Sequence, residues 1–201
     1  MARERIRKKE RIMKQLLKTS FILFIALTLV LSTFLIIADM GPNNQSLNYN
    51  GIAFNWNQED GTFTFRHNGQ QIRTHAHPID AEVHRLSVPT ADMLMNAQRI
   101  SIVETKANAS EWEPLAAFSL AEGLRRGNNI IISRGYTDSD PMMDCDMATD
   151  DNPMVVFKRS SDNNILENNS CIIVEYIDES FLFTVKDSIL YHSLGIISPR
   201  G

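Results

Sequence analysis

The sequence predicts an α+β fold: an antiparallel β-meander and then a mixed sheet covered by two longer helices, all carried behind an N-terminal transmembrane helix. Three observations predict it. Apolar and polar residues alternate between Tyr49 and His77, interrupted by turn residues. Strand-like, helical and strand-like stretches follow one another between Arg99 and Ser133. Ahead of both, Thr19–Ala38 is an apolar run without a charge.

That run decides the topology. Twenty helical residues rise about 30 Å, the thickness of a bilayer's hydrocarbon. Residues 1–18 carry eight Lys and Arg against Glu4 and Glu10, and the next basic residue after the run is Arg66. The positive-inside rule therefore places a basic cytoplasmic tail at 1–18, a span at 19–38, a linker at 39–48 and an extracytoplasmic α+β domain at 49–201. The domain is the acidic part, −10 against +6 for the tail. A cleaved signal peptide is the alternative, but its apolar core is about 7–15 residues and small residues precede the cut. Here Ile36 stands where a small residue is needed. The expected location is the cell membrane, single-pass, with the lipid bilayer as one partner through residues 19–38. Basic residues beside a span already have an electrostatic role at anionic lipid, so no nucleic-acid partner is expected.

The elements of the domain follow in order. Ile52, Phe54 and Trp56 alternate with polar residues as a first strand, Glu59-Asp60-Gly61 turns the chain, and Phe63 and Phe65 continue on a second. Asn68-Gly69 supplies the positive-φ pair of a type I′ hairpin, leading to a third strand over Gln71–His77. Pro78–Pro89 reads as irregular, with Thr90 capping a short helical turn. Arg99–Thr105 is a strand. Ser110-Glu111-Trp112-Glu113 fits a capping box opening a helix that runs to about Arg126, closed by Gly127. Ile130–Ser133 is a buried strand, so strand, helix and strand imply a parallel pair. Met154–Lys158 and Cys171–Tyr176 are strands joined by the Asn- and Ser-rich stretch 160–170. The last helix spans about Glu179–Leu194, ended by Gly195.

Both cysteines, Cys145 and Cys171, fall in the outer part. In an oxidising compartment an even count points to a disulfide, worth roughly 3 kcal/mol for a loop of this size; the alternative is two separate buried thiols.

Cys145 in an acidic loop, Asn152-Pro153 before a Val-Val-Phe strand, Asn169-Ser170-Cys171-Ile172-Ile173-Val174, Lys186-Asp187 and Leu190-Tyr191 in the last helix, the close Leu194-Gly195-Ile196-Ile197 and an early Tyr49-Asn50-Gly51 together resemble small uncharacterised single-span membrane proteins of archaea. The resemblance implies topology and a paired cysteine bridge. It implies no activity and transfers no catalytic residue.

Three constellations could carry chemistry. Asp138, Asp140, Asp144 and Asp146, with Asp150 and Asp151, crowd one loop, the kind of carboxylate cluster that serves calcium. The loop departs from the calcium-hand pattern, with Met143 where a glycine belongs and Thr149 where a glutamate belongs. On a strand, His75 and His77 would face one side and could grip a transition metal, with copper suggested by Met142, Met143 and Met147 nearby. The plain alternatives are a solvated acidic loop and two histidines on an ordinary strand face. Asn44, Asn108 and Asn168 each begin a glycosylation sequon.

Nucleophile elbows, zinc-protease helices, Cys-x-x-Cys pairs, P-loops and dinucleotide fingerprints are absent from the sequence. The expected function is therefore a membrane-anchored extracytoplasmic binding or interaction module, facing an envelope protein, with no obligatory cofactor. An extracytoplasmic metal-binding protein using calcium or copper is one alternative; a hydrolase assembled from dispersed carboxylates is the other.

Overall fold

A computed structural model of the chain describes residues 46–105, 110–137 and 145–201, together with Ser20, Phe24, Ile25, Leu27 and Thr28. The predicted span at 19–38 thus lies almost wholly outside the described residues. Among those described, no helix is long and apolar enough to cross a membrane. The acidic positions Asp138, Asp140 and Asp144 and the sequons at Asn44 and Asn108 also fall outside them. Everything below concerns the compact unit that begins at Asn44.

The unit is α+β, as expected, with two sheets. The first is antiparallel, in the order β1 (Ser46–Tyr49), β2 (Ile52–Asn57), β3 (Thr62–His67), β4 (Gln70–Thr74). It has four strands where the sequence reading has three. Reading Tyr49–Trp56 as one strand passes over a second hairpin: Asn50 and Gly51 take φ 49° and 80°, and Asn68 and Gly69 repeat the device at 49° and 78°. Paired positive φ values match the right-handed twist of the flanking strands, which is why Asn-Gly closes two-residue hairpins.

After β4 come a short helix α1 (Pro78–Ala81) and a 3-10 turn (Glu82–His84) where the sequence reading has an irregular stretch, and then α2 (Val88–Asn96), the expected helical turn, which starts at Val88 behind Ser87 so that Thr90 lies inside it and does not cap it. The second sheet has the order β6-β5-β7-β9-β8, from β5 (Arg99–Thr105), β6 (Ile131–Thr137), β7 (Met154–Arg159), β8 (Asn164–Asn168) and β9 (Cys171–Tyr176). Four of its strands are parallel, and the edge strand β8 is antiparallel to β9. The predicted parallel pair β5/β6 is present, joined by α3 (Trp112–Asn128). Strand β8 lies inside the polar stretch expected to be a connector. Its alternation is muted by two asparagines and a glutamate, and pairing with β9 rather than its own pattern makes it a strand.

Helices α3 and α4 (Glu179–Ser193) share one core with both sheets. Phe54, Phe65 and Ile72 enter it from the first sheet, and Ile100, Ile102, Val155, Phe157, Ile172 and Val174 from the second. The opposite face of the second sheet holds a smaller cluster of Val156, Ile173, Met154, Cys145 and Cys171. Parallel strands covered on both faces explain the unbroken runs Met-Val-Val-Phe and Cys-Ile-Ile-Val. Cys145 and Cys171 form a disulfide with a Cα–Cα separation of 5.5 Å, pinning the acidic loop at Cys145 onto β9.

Both predicted signals at the ends of α3 need correction. Ser110 and Glu113 do not make a capping box. The Ser110 hydroxyl does accept from the Trp112 amide at 3.3 Å, but the Glu113 side chain turns inward and is fully buried. At the other end Gly127 stays inside the helix and Asn129 provides the left-handed residue, at φ 60°. A Cβ on Gly127 would meet Leu194 Cδ2 at 2.3 Å, so close packing of α3 on the end of α4 is the reason for this glycine.

Candidate functional site

Helix α4 is buried on every side from Val185 to Leu194, polar residues included. Such a helix must find partners for each polar group it carries inward, because an unpaired buried group costs several kcal/mol. Its Asp187 carboxylate accepts the backbone N–H groups of His75 at 2.7 Å and Ala76 at 2.8 Å through Oδ2, while Oδ1 faces the Lys186 ammonium. Lys186 Nζ donates to Ser119 Oγ at 3.0 Å, stands 3.4 Å from His75 Nδ1, and lies 5.8 Å above the Phe183 ring. Tyr191 bonds the Ala76 carbonyl at 2.6 Å and the Thr74 hydroxyl at 2.7 Å; burial holds its phenol far above the usual range. Ser188 donates to the His84 carbonyl, and His192 Nε2 accepts the Leu86 amide at 3.1 Å. One polar stripe of α4 therefore fixes the whole path of residues 74–86.

The two histidines expected to share a strand face do not. Strand β4 ends at Thr74, so the alternation rule stops before them. His75 stacks on Phe183 with ring centres 4.3 Å apart, and burial, then the neighbouring Lys186 charge, lowers its pKa. His77 caps α1, its Nδ1 accepting the Ile79 amide, and sits among Tyr49, Phe54 and Phe63. Burial lowers its pKa too. Among the described residues no group of three or more His, Cys, Asp or Glu is placed to hold a metal ion. Asp146 is exposed next to Cys145, and Asn168 ends β8, where the hydroxyl of its sequon's Ser170 donates to Asp150 at 2.6 Å.

Two concave surfaces surround this polar core. A cleft of about 600 Å³ runs between α3 and the outward face of β3 and β4. One wall carries Leu115, Phe118, Ser119, Glu122 and Arg126; the other carries Thr62, Thr64, Gln71 and Arg73, and His75 also lines it. Leu115 and Phe118 are 44% and 55% exposed, apolar side chains without a cover on an otherwise polar cleft. The charges along it are matched: Arg73 pairs with Asp60 and Arg126 with Glu122.

The second surface, a crevice of about 480 Å³, lies at the carboxyl ends of β7 and β9 and is lined by Ser110, Trp112, Arg159, Tyr176 and Ile177 among others. Sheet order reverses between β5 and β7, since β5 leads through α3 to β6 on one side and β7 leads to β9 on the other. Crevices at such a reversal are where open α/β sheets receive ligands. Beneath it, Tyr176 donates to Glu113 at 2.7 Å and shares a 2.6 Å hydrogen bond with Ser110. Burial raises the Glu113 carboxyl, and Glu104 adds to the rise, while the Tyr176 phenol is raised mainly by burial. Glu104 itself is buried and paired with Arg134. These carboxylates are the closest approach to the dispersed acidic site expected of a hydrolase, and both are engaged within the fold.

Sequence reasoning missed the Lys186–Ser119–His75 cluster and the Glu113–Tyr176 pair. One signal was present for the first: Lys186-Asp187 interrupts an apolar pattern of Leu182, Val185, Ile189 and Leu190, and a charged pair on the buried side of a helix must be partnered.

His192 makes the acid stability of the domain predictable. Burial holds its pKa at about 4, below the ordinary 6.5, so the unfolded chain binds a proton first on acidification. Stability should fall by roughly 3 kcal/mol on this account as pH drops from 6.5 to 4. In His192→Gln, which can still accept from Leu86, urea midpoints across that window should lose this part of the slope. An unchanged slope would remove His192 as its source.

No family model, no curated protein and no solved structure matches the chain.

Proposed function

We propose that the protein is a membrane-anchored extracytoplasmic binding module that holds a polypeptide segment of an envelope partner. The observation that carries this reading is the cleft between α3 and β3–β4, with uncovered Leu115 and Phe118 on one wall and hydrogen-bonding Thr62, Thr64 and Gln71 on the other. An apolar anchor beside a polar wall suits a side chain inserted from an extended or helical segment, the recurrent pattern of polypeptide recognition. The buried polar groups support a binding role over catalysis. Asp187, Ser119 and His75 surround the Lys186 ammonium, so its three donors have partners. The anchoring half of the reading rests on the uncharged run 19–38 behind a basic tail. A disulfide-tied domain agrees with an oxidising compartment.

The test is crosslinking of the full-length chain in native membranes, followed by capture and mass spectrometry. A stoichiometric envelope partner is expected, and Phe118→Asp should reduce its recovery at least tenfold, as loss of a central apolar anchor does. A chain recovered alone, or a partner indifferent to Phe118, would overturn the cleft as the binding site.

A further inference from the structure

We propose that Ser119 and His75 form a two-donor subsite in the cleft between α3 and β3–β4, and that it takes one backbone carbonyl of the bound polypeptide; this rests on the reading of the cleft given above. Both residues are partly buried and line the cleft, Ser119 on α3 and His75 just past the end of β4. They share the fully buried Lys186 ammonium, whose Nζ is 3.0 Å from Ser119 Oγ and 3.4 Å from His75 Nδ1. An ammonium gives hydrogens and has no lone pair to accept one. Toward Lys186, therefore, Ser119 Oγ and His75 Nδ1 are both acceptors. That leaves the Ser119 hydroxyl hydrogen unspent and puts the imidazole hydrogen on Nε2. Among the described residues, neither hydrogen is given to another group.

The buried cation strengthens both donors. A hydroxyl that accepts from an ammonium gives its own hydrogen more strongly, because hydrogen bonds in a chain polarise one another. The His75 ring is held by its stack on Phe183, and burial, then the Lys186 charge, lowers its pKa, so Nδ1 stays free to accept. Other donors on the cleft are already engaged. Thr62 gives its hydroxyl hydrogen to Asp60, Arg73 pairs with Asp60, and Arg126 serves Glu122 and the Gln71 carbonyl. Charge decides which oxygen the subsite takes. Lys186 is balanced by Asp187, Arg73 by Asp60 and Arg126 by Glu122, so no surplus positive charge awaits a carboxylate. A neutral peptide carbonyl, with two lone pairs, matches two donors. Leu115 stands four positions before Ser119 on the same helix face, and Phe118 lines the cleft beside it. The side chain next to the bound carbonyl thus meets apolar surface within one turn of the donor.

The experiment uses the full chain in detergent micelles with isotope-labelled histidine ring nitrogens, His75 being assigned by its loss in His75→Gln. The free protein should show His75 with its hydrogen on Nε2. The probe is the blocked residue N-acetylphenylalaninamide, compared with the acid N-acetylphenylalanine. The amide should shift the His75 Nε2 signal saturably, and the acid should bind no tighter. Ser119→Ala should weaken the amide about tenfold, and Ser119→Thr, which keeps the hydroxyl, should bind as the wild type does. A His75 hydrogen on Nδ1, no saturable shift with the amide, or a shift indifferent to Ser119→Ala would overturn the subsite. An acid bound about tenfold tighter or more would overturn the carbonyl in favour of a carboxylate. Crosslinked capture from native membranes separates the subsite from the cleft. A partner lost with Phe118→Asp but kept with Ser119→Ala overturns the subsite alone. The absence of a partner, or one indifferent to Phe118, overturns the cleft reading and the subsite with it.

Discussion

Replacing Asp187 by Asn should destabilise the domain by about 3–5 kcal/mol, the largest effect expected of any single polar substitution in this fold. Asp187 is fully buried and serves two masters. Its Oδ2 takes the amides of His75 and Ala76, and Oδ1 faces the fully buried ammonium of Lys186. An Asn side chain can still accept one hydrogen bond, but it leaves the Lys186 charge without its counter-charge in a place water does not reach. The cost of an orphaned buried charge is what makes breaking such a pair worse than removing it. The double variant Lys186→Met with Asp187→Asn should therefore recover a large part of the loss, since a thioether chain occupies similar space without a charge. Urea unfolding of the wild type and the two variants measures this. A single variant that costs less than about 1 kcal/mol, or a double variant worse than the single, would mean that the pair does not hold residues 74–86 in place.

Removing the disulfide with Cys145→Ala and Cys171→Ala should cost roughly 3 kcal/mol, as the closed loop of 26 residues would suggest. The effect is expected to be unevenly spread. The bridge belongs to the small cluster on the far face of the second sheet, with Met154, Val156 and Ile173, and not to the main core between the sheets. Without it, the segment 145–152 loses its one covalent tie to β9, so amide exchange there should rise before the core strands β5 and β7 become accessible. Reduction of the wild type without denaturant should reproduce the double alanine variant. Exchange that rises uniformly over the whole domain would show instead that the bridge supports the global fold.

The regular elements were largely legible from local pattern. Arg99–Thr105 and Cys171–Tyr176 have the bounds their β-branched runs predict, and α4, Glu179–Ser193, falls within a residue of the span predicted from its apolar side and Gly195. Asn68-Gly69 marked its hairpin because the φ values it needs are a property of those two residues alone. Asn50-Gly51 is the same signal, and the apolar phase shifts across it, from Leu47 and Tyr49 to Ile52, Phe54 and Trp56, but a strand read as continuous from Tyr49 to Trp56 passes over both marks. The disulfide was readable from the cysteine count and the expected compartment.

The functional surfaces were less readable, for a physical reason. Ser119 reaches Lys186 across 67 positions, His75 across 111, and Tyr176 reaches Glu113 across 63. None of these pairs shares a strand alternation or a helical turn, so no local periodicity encodes them. Ser110 and Glu113 have the spacing of a capping box, yet the carboxylate goes to Tyr176, because tertiary hydrogen bonding and burial outweigh a local cap worth about 1 kcal/mol.

The sequence by itself therefore determined the α+β class, the paired cysteines and most strand and helix bounds, all of which follow from residue type and near-neighbour spacing. Only the tertiary structure decided that His75 and His77 part company beyond β4, that the charges of α4 turn inward, and that a cleft opens between α3 and β3–β4. Those outcomes depend on which distant side chain fills or satisfies each buried place, and that is settled by packing rather than by any short stretch of chain.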